Sequence, residues 1–215
     1  MACAGEEPVN ALGLCRRCTE TVLANDRPCP VCARPLPKKG LCPYCSKGMS
    51  ALDGGAAPFL YSGAICKVIA AFKFRSHAYL AERMARPMCA VMPACEFDFI
   101  VAVPGSRRNN RNRGYNPAGL LAKEISRIQG IPLLENALLR SAKGASQRTL
   151  SYAARRENAE KVFSVRPISE LNESRVLLVD DVTTTGATAD FCAHRLKEAG
   201  ARAVYLLAFA ATDLH

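Results

Sequence analysis

Residues 176–188 read VLLVDDVTTTGAT. Four apolar residues, Val176 to Val179, run directly into two adjacent carboxylates, Asp180 and Asp181. Three threonines, Gly186 and a further run of small residues follow. A short, nearly continuous apolar run rich in β-branched residues reads as a strand buried on both faces. Its carboxyl end then delivers Asp180 and Asp181 to the rim of a sheet, where ligands of open parallel sheets bind. The segment after them opens a helix. The first backbone N–H groups of a helix lack intrahelical partners, and with the helix dipole they attract an anion. Gly186 permits a tight turn there, and the threonine hydroxyls add donors. Paired carboxylates beside such a cradle would repel a second phosphate, but they suit sugar hydroxyls or a divalent cation. The pattern therefore fits a pentose 5-phosphate. The phosphate would lie on the backbone amides of TTTGAT, residues 183–188, and the 2- and 3-hydroxyls on Asp180 and Asp181. The competing reading, a strand ending in a solvated acidic turn, explains the two acids but not the string as a whole. Neither G-x4-G-K-[ST] nor G-x-G-x-x-G occurs in the chain.

Working outward, apolar runs alternate with helical periodicity. Ile65, Val68, Ile69 and Phe72 recur at helical spacing, and AYLAERMARPM continues in the same style up to Pro87. FDFIVAVPG reads as a buried strand entering a loop. NPAGLLAKEISRIQG reads as a helix capped by Asn116, with Pro117 in its first position, Gly130 as its stop and Leu120, Leu121, Ile125 and Ile128 as its apolar stripe. IPLLENALLR begins at a short strand or turn, and SAKGASQRTLSYAARREN reads as a loop passing into a helix. ATADFCAHRLKEAG is a helix closed by Gly200, and AVYLLAFA is a further buried strand. Strands alternating with helices, each strand nearly all apolar, predict an α/β fold: a parallel sheet with helices on both faces. DGGAAP, residues 53–58, reads as a linker or turn.

The segment before that linker differs in kind. The chain has eleven cysteines, seven of them before residue 50, and six of those form C-x2-C pairs at 15/18, 29/32 and 42/45. In a chain of cytoplasmic type, repeated C-x2-C reads as a metal site rather than a disulfide framework. Nine residues separate CPVC from CPYC, as in the two knuckles of a zinc ribbon. Cys29, Cys32, Cys42 and Cys45 are the expected ligands of one structural zinc. Cys15 and Cys18 either belong to a second, incomplete site or compete for the first. An iron–sulfur cluster and unliganded thiols are the alternatives. A segment this poor in large apolar residues folds with difficulty unless a metal staples it. The expected division is a Cys-rich, zinc-ribbon-like domain over 1–57 and the α/β domain over 58–215.

Length and composition agree with a packed globular chain: 215 residues, 49% hydrophobic. No apolar run reaches the ~18–20 residues of a membrane span, and the N-terminus MACAGEEPVN has no signal-peptide character, so a cytoplasmic location is expected. Net charge is +10, and residues 105–166 concentrate it, with 13 Lys/Arg against 4 Asp/Glu. Such a block suits a polyanionic partner, either small-molecule phosphates or a nucleic-acid backbone, or else it is a solvated basic surface.

The string at 176–188 resembles the phosphoribosyl pyrophosphate signature of type I phosphoribosyltransferases. With IAAFKFR, VAVPGSRRNNRNRGYNPAGLLA, SQRTLSYAARRENAEKVF and the N-terminal C-x2-C pairs, nearly the whole chain is similar to ComF-like competence proteins. The resemblance implies a type I phosphoribosyltransferase-like fold that binds phosphoribosyl pyrophosphate with Mg. Asp180 and Asp181 would act catalytically by holding the ribose, and the 184–188 loop would hold its 5-phosphate. It assigns Arg107, Arg108 and Arg113 to pyrophosphate, and Gln147, Arg155 and Asn158 to a catalytic flap. Lys73 matches a family position whose role the sequence does not give. Tyr115 reads as a packing residue before a base-stacking one. Thr183 stands where an apolar residue is usual, and Thr184 where purine-salvage members carry an aspartate, which argues against a purine acceptor. Pro117 replaces a usual glutamine. The resemblance further implies natural transformation, with single-stranded DNA and competence-machinery proteins as partners.

Overall fold

The computed structural model describes residues 8–73, 77–105, 114–140 and 163–212. Strands β3 (Phe99–Ala102), β6 (Arg175–Thr183) and β7 (Ala203–Ala211) form the centre of a parallel sheet, with β6 between the other two. The register pairs Phe99 with Val176, and Arg175 with Ala203. On the outer edge of β7 lie two short strands in tandem, β1 (Gly54–Ala56) and β2 (Phe59–Leu60), both parallel to it. Leu133 bridges Ile100 in parallel at the opposite edge. A separate antiparallel pair joins β4 (Leu138–Arg140) to β5 (Phe163–Val165).

Alternation along the central strands sorts their side chains onto two faces. Leu177 and Val179 of β6, with Leu207 and Phe209 of β7, pack under α2 (Gly63–Phe72), α3 (Leu80–Ala90) and α4 (Pro117–Gln129). Val176 and Leu178, with Val204 and Leu206, face the other way, under α5 (Ala187–Glu198). The rest of that second face is covered by Leu52, by Cys29, Cys32, Cys42 and Cys45, and by Leu138, Phe163 and Leu171. The Cys-rich segment thus lies where a further helix would, and its one helix, α1 (Arg16–Glu20), packs on the first face beside α2.

Several expectations hold in detail, and others shift for identifiable reasons. Ile65, Val68, Ile69 and Phe72 are all buried. In α4, Leu121 and Ile125 are buried, but Ile128 is exposed and Ala118 and Ala122 complete the buried stripe. Asn116 occupies the N-cap position without capping: its side-chain amide donates to the Val103 carbonyl at 2.9 Å. Helix α3 does not stop at Pro87 but runs on to Ala90. An interior proline costs ~3 kcal/mol, and burial of Met84, Ala85 and Met88 on one stripe offsets it.

The largest departure is at 53–58, read from sequence as a linker or turn. Three of its residues are strand β1, and the glycines are there for close approach rather than mobility. A Cβ on Gly54 would stand 2.7 Å from the Tyr205 ring, and one on Gly55 would stand 2.8 Å from the Val31 carbonyl oxygen. Replacing Gly55 by alanine therefore forces backbone against backbone, and we expect it to destabilise the protein by ~1–3 kcal/mol. Gly119→Ala is the control. Its Cβ would meet nothing nearer than 3.5 Å inside α4, so thermal unfolding should show a gain of about 0.5–1 kcal/mol.

Candidate functional site

Strand β6 continues through Thr183, so Asp180 and Asp181 lie within its last paired residues rather than after it. The Asp181 N–H donates to Asp180 Oδ1 at 2.8 Å. Lys73, the residue that closes α2, places Nζ 2.9 Å from Asp181 Oδ2. A cation suits that position, because the carbonyl end of a helix is its negative pole. Phe72, immediately before it, accepts a hydrogen bond from the Tyr115 hydroxyl through its carbonyl, and the two rings pack 6.2 Å apart. Tyr115 is thus a packing residue that fixes the end of α2 beside the acids.

The two carboxyls differ electrostatically. Burial, and then the charge of Asp181, push Asp180 well above the usual carboxylate range, against the opposing pull of the Asp181 N–H and Lys73. On the α5 side, Cys192 is raised too, chiefly by burial and then by the Asp180 charge. The chain therefore holds a carboxyl at a strand end where its ionised form is undercompensated. Such a group gains from a ligand that donates hydroxyl protons or brings a cation.

Beyond β6, Thr184, Thr185 and Thr188 are exposed. Gly186 caps α5 with φ at +74°, a left-handed conformation natural to glycine. Thr185 Oγ1 accepts the Ala187 N–H at 3.3 Å, and the Asp190 N–H closes back on the Gly186 carbonyl at 2.9 Å. Thr183 is buried, and its hydroxyl has no hydrogen-bond partner among the described residues. Strand β6 and α5 thus set the acid pair and the 184–188 loop next to each other. Arg107, Arg108, Arg113, Gln147, Arg155 and Asn158 lie outside the described residues. A cavity of about 420 Å³ opens beyond the end of β3, lined by Pro104, Gly105, Tyr115, Asn116, Glu135 and Arg140 among others.

Cys29, Cys32, Cys42 and Cys45 bring their sulfurs within 4.8 Å of one another, the one such group of metal-binding side chains among the described residues. Zn–S bonds of ~2.3 Å set sulfur–sulfur separations of about 3.8 Å in a tetrahedron, and Cys32 Sγ to Cys42 Sγ is 3.7 Å. Backbone N–H groups of Cys42 and Cys45 point at Cys29 Sγ and Cys42 Sγ, at 3.5 and 3.4 Å. Burial pushes the Cys32 thiol up to about 12, reinforced by Cys29 and Cys42. For Cys29 burial acts the same way, but backbone donors outweigh it and bring the thiol down to about 7. Packed thiolates that repel one another this way suit a cation at their centre. The four residues can hold a metal ion, and zinc fits the donor set. Cys15 and Cys18 are buried elsewhere, among Leu12, Leu14, Ala64 and Val68 of the first-face core.

The cluster touches the loop. Gly186 lies so close to Cys32 that a Cβ on it would be 3.6 Å from the Cys32 Cβ. Arg34 Nη2 donates to the Thr185 carbonyl at 2.9 Å. Asp190, buried in the first turn of α5, accepts the Tyr44 hydroxyl at 2.9 Å, the Ser50 hydroxyl at 2.8 Å and the Ala51 N–H at 2.6 Å. Lys73, Arg34, Tyr44 and Asp190 were not assigned roles from sequence. Asp190 carried a signal, a carboxylate on the buried stripe Ala189, Cys192, Ala193 and Leu196. Arg34 carried none.

Two outcomes follow from this geometry. Because folding raises the Asp180 carboxyl, its contribution to stability is present below the unfolded value of about 3.9 and is lost as pH rises through the folded one. Asp180→Asn should therefore raise the melting temperature at pH 7, with the gain shrinking towards pH 4; equal melting of both proteins at pH 7 would contradict this. Metal analysis should find one zinc held by the four-cysteine group, lost in Cys42→Ser and kept in Cys15→Ser.

The chain matches no protein-family model. It is 30% identical over 207 residues to competence protein F of Haemophilus influenzae, covering 92% of this chain and 90% of that one. It is 28% identical to competence protein ComFC of Bacillus subtilis, over 80% and 72% of the two chains. The DNA utilization protein YhgH of Escherichia coli is 27% identical over 89% and 87%. Among solved structures, it is similar to the glutamine phosphoribosylpyrophosphate amidotransferase of B. subtilis, at 22% identity, TM-score 0.43 and coverage of 59% and 25%. It is also similar to a purine phosphoribosyltransferase of Pyrococcus horikoshii, at 21%, 0.39, 62% and 74%. With nearly a third of its residues shared across nine-tenths of both chains with competence protein F, a parallel α/β core and the cysteine cluster packed on it, the chain belongs to the ComF family of competence proteins.

Proposed function

We propose that the chain binds phosphoribosyl pyrophosphate as its Mg complex and transfers the phosphoribosyl group to an acceptor. The observation that carries this reading is the adjacency of the Asp180–Asp181 pair to a glycine-turned loop at a helix N-terminus. In this reading the 5-phosphate rests on the backbone N–H groups of 184–188, where the dipole of α5 favours it. The 2- and 3-hydroxyls donate to Asp180 and Asp181, and Lys73 holds Asp181 in place through their ion pair. Magnesium, bound with the substrate, neutralises charge on the pyrophosphate.

Pyrophosphate departs from C1 with the electron pair of the C–O bond, and the acceptor nucleophile bonds to C1 and releases its proton. The carboxylates stabilise the cationic character that develops on the sugar. Arg107, Arg108 and Arg113 are proposed to take the leaving group, because planar guanidinium groups fork onto phosphate oxygens. Gln147, Arg155 and Asn158 are proposed to shield the reacting sugar from water.

Isothermal calorimetry with phosphoribosyl pyrophosphate and Mg²⁺ tests binding. Wild type should bind, and Asp180→Ala/Asp181→Ala should lose at least ~100-fold in affinity. No heat with wild type, or undiminished binding by the double variant, overturns the reading.

A second reading is favoured by the names of the relatives, which concern competence and DNA utilization. The basic block at 105–166 and the cysteine module would then hold single-stranded DNA, with the transferase fold as sensor or relic. Gel-shift titration tests it: affinity for single strands should fall steeply as salt rises. A salt-independent complex would exclude backbone phosphates as the contact.

A further inference from the structure

The cysteine module and the 184–188 loop are joined at more points than packing alone requires. The first knuckle carries Arg34. Its backbone is fixed inside that knuckle: the Cys29 N–H donates to the Arg34 carbonyl at 2.7 Å, and the Ala33 N–H returns to the Cys29 carbonyl at 2.9 Å. Ala33 is fully buried with φ at +60°, and its carbonyl accepts the Asn25 amide at 2.9 Å. From this base Arg34 reaches 151 positions along the chain to the Thr185 carbonyl. The second knuckle carries Tyr44, whose hydroxyl reaches Asp190 in the first turn of α5.

We propose that Arg34 and Tyr44 are positioning residues through which the four-cysteine module sets the phosphate-binding loop. This rests on the reading of that loop given above, and it assigns the module a part in sugar-phosphate recognition. The physical reason lies in the peptide bond between Thr185 and Gly186. A trans peptide is planar, with its C=O and N–H pointing in opposite directions. Fixing the Thr185 carbonyl towards Arg34 therefore aims the Gly186 N–H away from the module. That N–H is the first of the donors that a phosphate at the start of α5 requires. A guanidinium on the carbonyl also withdraws electron density from the peptide and makes its N–H a stronger donor.

Tyr44, with Ser50 and the Ala51 N–H, holds the Asp190 carboxylate turned towards the module. Without those donors a carboxylate in the first turn would be free to compete with an anion for the same N–H groups. The four sulfurs hold the two knuckles in register, so Arg34 and Tyr44 act on the loop from one rigid base.

The test is calorimetric titration of the full, metal-loaded chain with ribose 5-phosphate. Zinc content and melting temperature are measured on every variant. Wild type should bind. Arg34→Ala should bind about tenfold more weakly, the effect expected when one charge-assisted hydrogen bond no longer orients the loop. Arg34→Lys, which can still donate to a carbonyl, should recover part of the loss. Tyr44→Phe should weaken binding less than Arg34→Ala, because Ser50 and Ala51 still hold Asp190. All should keep one zinc per cluster. Should Arg34→Ala fail to fold, Tyr44→Phe and Arg34→Lys decide. Variants that bind within twofold of wild type overturn the proposal while leaving the sugar-phosphate reading intact. A wild-type protein that ignores ribose 5-phosphate overturns that reading first, and this inference with it.

Discussion

Strand β6 carries the constraint on which the rest of the molecule depends. It is an inner strand, hydrogen-bonded to β3 on one side and β7 on the other. Val176 to Val179 within it are all apolar and buried, because both faces are covered there. The same ladder continues into Asp180 and Asp181, so acids enter an environment built for Val and Leu. Desolvation penalises the ionised form of Asp180, and among the described residues the Lys73 ammonium that pairs with Asp181 only partly offsets it. A fold selected for stability alone would place apolar residues there. Acids kept at the open end of a buried strand are what the proposed sugar-phosphate site requires, since a ligand there would supply the missing compensation.

On the second face of the sheet the cysteine module reaches the 184–188 loop and the first turn of α5. Helix α5 covers only part of that face, and four buried cysteines with Leu52 cover much of what is left. Sulfurs at tetrahedral spacing make the module a compact block rather than a flexible arm. Because it packs against α5, it meets that helix at its N-terminal turn, beside Gly186 and Asp190. The glycines at 54 and 55 allow the chain to leave the module and enter the sheet edge with backbone nearly touching backbone.

The central strands, the helix stripes and the four-cysteine group were legible in the sequence because each rests on a local period: apolar runs, 3.6-residue spacing, C-x2-C pairs. The adjacency of acids and loop was legible because β6 and α5 are consecutive. What escaped were contacts between segments far apart in the chain. Lys73 meets Asp181 only because α2 crosses the first face and ends at the rim. Arg34 meets Thr185 only because the module replaces a helix on the second face. The 53–58 stretch was misread since glycine serves flexibility and close approach alike, and only the positions of Tyr205 and Val31 distinguish them. Pro87 misled for a related reason: a local rule gave way to burial of its neighbours Met84 and Met88.

The most direct measurement is a crystal of the metal-loaded protein soaked with ribose 5-phosphate. The account predicts density with the phosphate against the N–H groups of Gly186 to Thr188 and the ring hydroxyls within hydrogen-bond distance of Asp180 and Asp181. Density for the sugar elsewhere, or a clear map in which the rim of β6 holds only solvent at saturating ligand, would contradict it.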